Sequence, residues 1–114
     1  MIGTTLTTGE NQVYMTGYKL SNMANEMNAI SENFVHFLPQ AKEYNLFKRS
    51  DNYSFYKEFK VPSHTISSCD LTNFDFYHHV DDEIDQLDFV FMATTINKLI
   101  PGFVQICNTG SKEI

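Results

Sequence analysis

Gln12-Val13-Tyr14-Met15-Thr16 is a short β-prone run closed by Gly17, which predicts a strand. Leu20, Met23, Ala24, Met27, Ile30 and Phe34 then recur at spacings of three and four, one face of a helix. Asn22, Asn25, Glu26 and Glu32 fall on its polar side, as on a surface helix. Pro39 breaks this pattern. Leu46-Phe47 reads as a short strand, Arg49-Ser50-Asp51-Asn52 as a turn or loop, and Tyr53 to Phe59 as a short helix. Pro62 opens the β-prone Ser63-His64-Thr65-Ile66-Ser67, a place where its missing N–H is tolerated. Cys69 to Val80 has no period and is a long loop by elimination. Asp81-Asp82-Glu83-Ile84-Asp85 predicts the first turn of a last helix, since carboxylates suit the positive end of the helix dipole. Asp81 or Asp82 is its expected cap. Phe89, Met92, Ala93, Ile96, Leu99, Ile100 and Phe103 are its expected buried face, and Pro101 should kink or end it.

Strand, helix, strand, loop, short helix, strand, long loop and helix in this order indicate one layered α/β domain. With 114 residues there is room for one domain and not two. Eight Lys plus Arg against fourteen Asp plus Glu leave a net charge of −6. That argues against nucleic acid, whose binding needs many cations on phosphates, and against an anionic membrane surface. The longest apolar run, Phe89-Val90-Phe91-Met92-Ala93, is far short of a membrane span. Cys69 and Cys107 form no CxxC, and they are read as two buried thiols, with one bridge between them as the alternative. The N-terminal residues have neither the cationic start nor the apolar stretch of a signal peptide.

Gly-rich phosphate loops, a GxSxG elbow and HExxH are absent from the sequence. Asn52-Tyr53-Ser54 matches a glycosylation sequon, a three-residue match common by chance. The densest polar cluster is Tyr77-His78-His79-Val80-Asp81-Asp82-Glu83. Imidazole and carboxylate are zinc ligands and zinc-ligand orienters, but a solvated loop leading into an acidic helix start has the same composition. His64, in the expected strand, reads as a hydrogen-bonded core histidine.

Three segments in this order carry a resemblance. Arg49-Ser50-Asp51-Asn52-Tyr53-Ser54-Phe55 resembles the Arg-Ser-Asp-His-x-x-Phe segment of the zinc aminopeptidases of metallopeptidase family 28. Val61-Pro62-Ser63-His64-Thr65-Ile66-Ser67 is similar to the family strand that follows. Tyr77-His78-His79-Val80-Asp81-Asp82-Glu83-Ile84-Asp85 resembles Tyr-His-Thr-Pro-x-Asp-Thr-x-Asp, after which the family enters its last helix. Met1-Ile2-Gly3 is similar to the residues after a family strand that ends in a metal-binding acid. The resemblance spans residues 1 to 108.

It implies a three-layer α/β/α sandwich with a mixed sheet, of the zinc-peptidase type, here only in its C-terminal portion. It implies an enzyme that removes N-terminal residues from peptide substrates with two zinc ions. His78 is then the single metal ligand in this chain, with Tyr77 beside it. His79 takes the usual Thr position, and Asp51 is a loop-ordering or substrate-side residue. Asn52 and Val80 stand where the family often has His and Pro. The family's His-x-Asp and Glu-Glu segments, which include its general base, have no counterpart here, so the chain alone is expected to be inactive. A glutaminyl cyclase-like enzyme with one zinc, or a peptidase fold that has become an interaction module, are the alternatives. Family members are often exported. A sheet cut along a strand should expose an edge, expected near Gln12 to Thr16, through which two copies could pair.

Overall fold

Gly17 closes the first strand by turning through the left-handed region, at φ 64°. Strand β1 is Val13–Met15, and a 3-10 turn, Tyr18–Leu20, leads from it into α1, Met23–Ser31. The computed structural model describes residues 2–6, 12–70, 73 and 79–109. Glu32 and Asn33, both at positive φ, reverse the chain after α1 and deliver strand β2, Val35–His36. Helix α2, Pro39–Glu43, has Pro in its first turn, where a missing N–H costs nothing. Helix α3 is Asn52–Phe59, strand β3 is Ile66–Ser67, a second 3-10 turn is Ile84–Gln86, and α4 is Phe89–Thr109.

The described strands form one mixed sheet in the order β2-β1-β3. β1 pairs parallel with β2, Val13 opposite Val35, and antiparallel with β3, Met15 opposite Ile66. The α/β reading with a mixed sheet therefore holds. Side chains alternate across β1, as the pleat requires. Val13 and Met15 join Ala24 and Met27 of α1, Val35 of β2, and Phe91 and Leu99 of α4 in the main core. Tyr14 faces the other way and packs with Leu6, Leu38 and Ala41, with Leu46 against them. Helices thus lie against both faces of the sheet.

Several expectations are corrected. β1 is central, with β2 and β3 on either side, so Gln12 to Thr16 is not the exposed edge. Leu46-Phe47 forms turns rather than a strand, and β2 at Val35–His36 takes the place of a pattern that had been read as helix end. The last helix starts at Phe89, not in the acidic run. Asp88 caps it, its carboxylate accepting the Phe91 N–H at 3.0 Å. The helix runs through Pro101 to Thr109, and Leu99 and Gly102 on either side of the proline are buried. Its buried positions are Phe91, Thr95, Leu99 and Gly102, so its contact face is turned from the one expected. Phe89, Ile96 and Ile100 are each more than half exposed. Cys69 is buried, Cys107 is exposed, and both are free thiols. The helix as a whole is long and apolar enough to cross a membrane, a test that core helices of soluble proteins also pass.

Candidate functional site

The N-terminal segment, residues 2–6, is held to both ends of the stretch that contains Tyr77 and His78. Gly3 donates its N–H to Ser68 Oγ at 3.4 Å, and its carbonyl accepts the Asp88 N–H at 2.7 Å. A Cβ on Gly3 would come within 2.8 Å of a Leu87 methyl, so the two residues pack closely here. Asn73 completes the junction. Its amide nitrogen donates to the carbonyls of Thr5 and Ser68, both at 2.7 Å, and its oxygen accepts the Asp70 N–H at 3.0 Å. Ser68, Cys69 and Asp70 are buried here, and the Tyr14 hydroxyl donates to the Cys69 carbonyl. The carboxyl end of β3 is therefore a polar, well-bonded junction between three separate stretches of chain.

His78, the expected zinc ligand, and Tyr77 beside it lie outside the described residues. His79 is described and exposed. Its Nδ1 accepts the Asp81 N–H at 3.0 Å, and the Asp81 carboxylate lies 3.5 Å from the same nitrogen. One nitrogen cannot accept from the amide and donate to the carboxylate together, and the shorter contact makes it the acceptor. Among the described residues no three His, Cys, Asp or Glu converge as metal ligands. One imidazole and one carboxylate fall short of the three protein ligands a catalytic zinc takes. The described residues do not by themselves compose a zinc site.

Asp51 is exposed and gives α3 no side-chain cap. Its neighbour Asn52 is buried and anchors the turn. The Asn52 amide donates to the Ser63 carbonyl at 2.9 Å, and its oxygen accepts the Thr65 hydroxyl. The sequon asparagine is thus bonded inside the fold. These bonds fix the Arg49–Asn52 turn to the amino end of β3, whereas the chain leaves for His78 from the carboxyl end. Within the described residues, Asp51 is not joined to the junction at Gly3, Ser68 and Asn73.

His64, expected as a hydrogen-bonded core histidine, is half-buried and bonded through both ring nitrogens. His64 Nδ1 donates to the Thr16 carbonyl at 2.8 Å, which leaves Nε2 to accept the Ser21 hydroxyl at 2.7 Å. Ser21 Oγ also accepts the Met23 N–H at 3.2 Å. Thr65 N–H donates to Thr16 Oγ1 at 3.0 Å, and Thr16 N–H donates to the Thr65 carbonyl at 2.9 Å. A hydroxyl bonded to an imidazole that is oriented by a carbonyl is also the arrangement of an activated serine. Here Ser21 Oγ also holds the start of α1 through the Met23 N–H, so the group works as a clasp joining α1, β1 and the approach to β3. Sequence spacing gave no sign of it, because Ser21 and His64 are far apart in the chain.

Set against known protein families, curated proteins and solved structures, the chain matches none of them.

Proposed function

We propose that the chain is the C-terminal part of a zinc-dependent aminopeptidase-like hydrolase, a three-layer α/β/α domain that removes N-terminal residues from peptides. The observation that supports this most is the junction at the carboxyl end of β3. The resemblance requires the segment after a metal-binding acid, here Met1-Ile2-Gly3, and the loop carrying His78 to converge on one site. Gly3 is bonded to Ser68 before that loop and to Asp88 after it, and Asn73 within it bonds Thr5. In this reading His78 is the one metal ligand of the chain. The remaining ligands and the glutamate base belong to family segments that this sequence does not contain. Zinc, once bound, would polarise the scissile carbonyl and acidify a water.

The test is the zinc content of the full gene product, measured by elemental analysis beside its aminopeptidase activity. His78→Ala is expected to lose about one zinc per chain and nearly all activity. His79→Ala is expected to retain both, since its ring is engaged with Asp81. Equal zinc in wild type and His78→Ala, or loss in His79→Ala alone, overturns the assignment.

A further inference from the structure

We propose that the opposite end of the sheet holds a binding site for a small organic acid, independent of the zinc reading. The cavity there has a volume of about 210 Å³. It opens past Met15, the last residue of β1, and Phe37 and Leu38, just after β2. It therefore lies outside the carboxyl ends of two parallel strands, the position where open α/β sheets take ligands. β3 runs antiparallel to β1, so this end is away from the one that leads toward His78. Gly17 and Phe47 close the floor. A Cβ on Gly17 would come within 2.6 Å of the Phe47 ring, so the left-handed glycine both turns the chain and admits the ring.

The charge at the rim defines the ligand. The lining residues include Lys19 and Lys42 and no acid, in a chain whose net charge is −6. Among the described residues the ion pairs are His79 with Asp81 and Lys98 with Glu32, so neither rim lysine has a carboxylate partner. The Lys19 ammonium rests 4.7 Å from the centre of the Phe37 ring, and both residues line the cavity. Apolar walls with a few convergent polar groups are the composition of a small-molecule site. A cavity of this volume is smaller than most such sites and suits one ring on a short arm. The ligand class that matches is a monocarboxylate with a compact apolar or aromatic body. The body would fill the cavity and the carboxylate would meet the Lys19 ammonium, with Lys42 in the same lining.

The probe is 3-phenylpropionate, titrated into the intact chain and followed by amide chemical shifts. Saturable shifts at Gly17, Lys19 and Leu38 are expected, and 3-phenylpropanamide should bind about tenfold more weakly. The double variant Lys19→Gln, Lys42→Gln changes only exposed side chains, so it should fold normally. It should lose the preference for the acid and keep the weak affinity for the amide. No saturable shifts, saturable shifts elsewhere, or equal affinity for acid and amide in the wild type overturns the site. Zinc content in the full gene product is unaffected by any of these outcomes, so failure here and failure of the peptidase reading are separable.

Discussion

Asn28, Asn52 and Asn73 each use a side-chain amide to pair with the main chain of another segment. Asn28 does so from both sides, accepting the Val35 N–H at 2.9 Å and donating to the Val35 carbonyl at 2.7 Å. It stands beside β2 as a neighbouring strand would, and covers the edge that β2 otherwise presents. Val35 itself is buried, so removing the amide leaves two backbone groups without partners. Asn28→Ala is expected to cost about 1–3 kcal/mol in denaturant unfolding. Asn28→Gln should not restore the loss, because its longer arm misplaces both bonds. A melting temperature unchanged in Asn28→Ala would show that water replaces the amide at no cost. None of these three roles was legible in the sequence. An asparagine in a helix, a turn and a loop looks alike until the backbone within its reach is known, and that backbone comes from residues up to 68 positions away.

Helix α4 shows how a correct element can carry a wrong face. The apolar residues along it occupy more of its circumference than the contact with α1 needs, so periodicity alone left its orientation open. The contact at Gly102 marks the face that is used. A Cβ there would lie 3.3–3.5 Å from Met27, so α4 presents its smallest residue where it meets α1. Phe91, Thr95 and Leu99 then follow on the same face, one helical turn apart. Two variants separate the faces. Leu99→Ala, at 7% exposure, should cost about 2–5 kcal/mol. Ile96→Ala, at 53% exposure, should stay within about 0.5 kcal/mol. The reverse ranking would restore the face that the apolar spacing suggests. Elements with one clear boundary signal were legible: β1 before Gly17, α3 after the Arg49–Asn52 turn, and the strand after Pro62. β2 was hidden because its two residues follow directly on the stripe of α1. The site was legible only as segments. Its closure depends on Gly3, Ser68, Asn73 and Asp88, and no local pattern brings those four together.

Across the whole molecule the packing is uneven. β1, β2, α1 and α4 share one continuous core around Met15 and Met27. Helix α3 takes little part in it. Its one buried residue is Asn52, and Phe55 and Phe59 stack on each other in solvent at 6.4 Å between ring centres. What holds α3 is the pair of Asn52 bonds at its start and the edge-on packing of Tyr53 and Tyr56 against Phe47. A segment secured by a few polar bonds and one small aromatic cluster should open without the core. Amide exchange in native conditions should therefore divide the chain. Amides of β1, α1 and the Phe91 to Leu99 part of α4 should exchange last, through global unfolding, and those of α3 much sooner. Asn52→Ala removes the polar anchor and should speed exchange in α3 selectively, leaving the slowest amides nearly as protected as before. Equal acceleration across β1, α1 and α4 would mean that α3 and the core unfold as one unit. Because Phe47 also floors the cavity at the ends of β1 and β2, loosening α3 should disturb that cavity before it disturbs the junction at Gly3, Ser68 and Asn73.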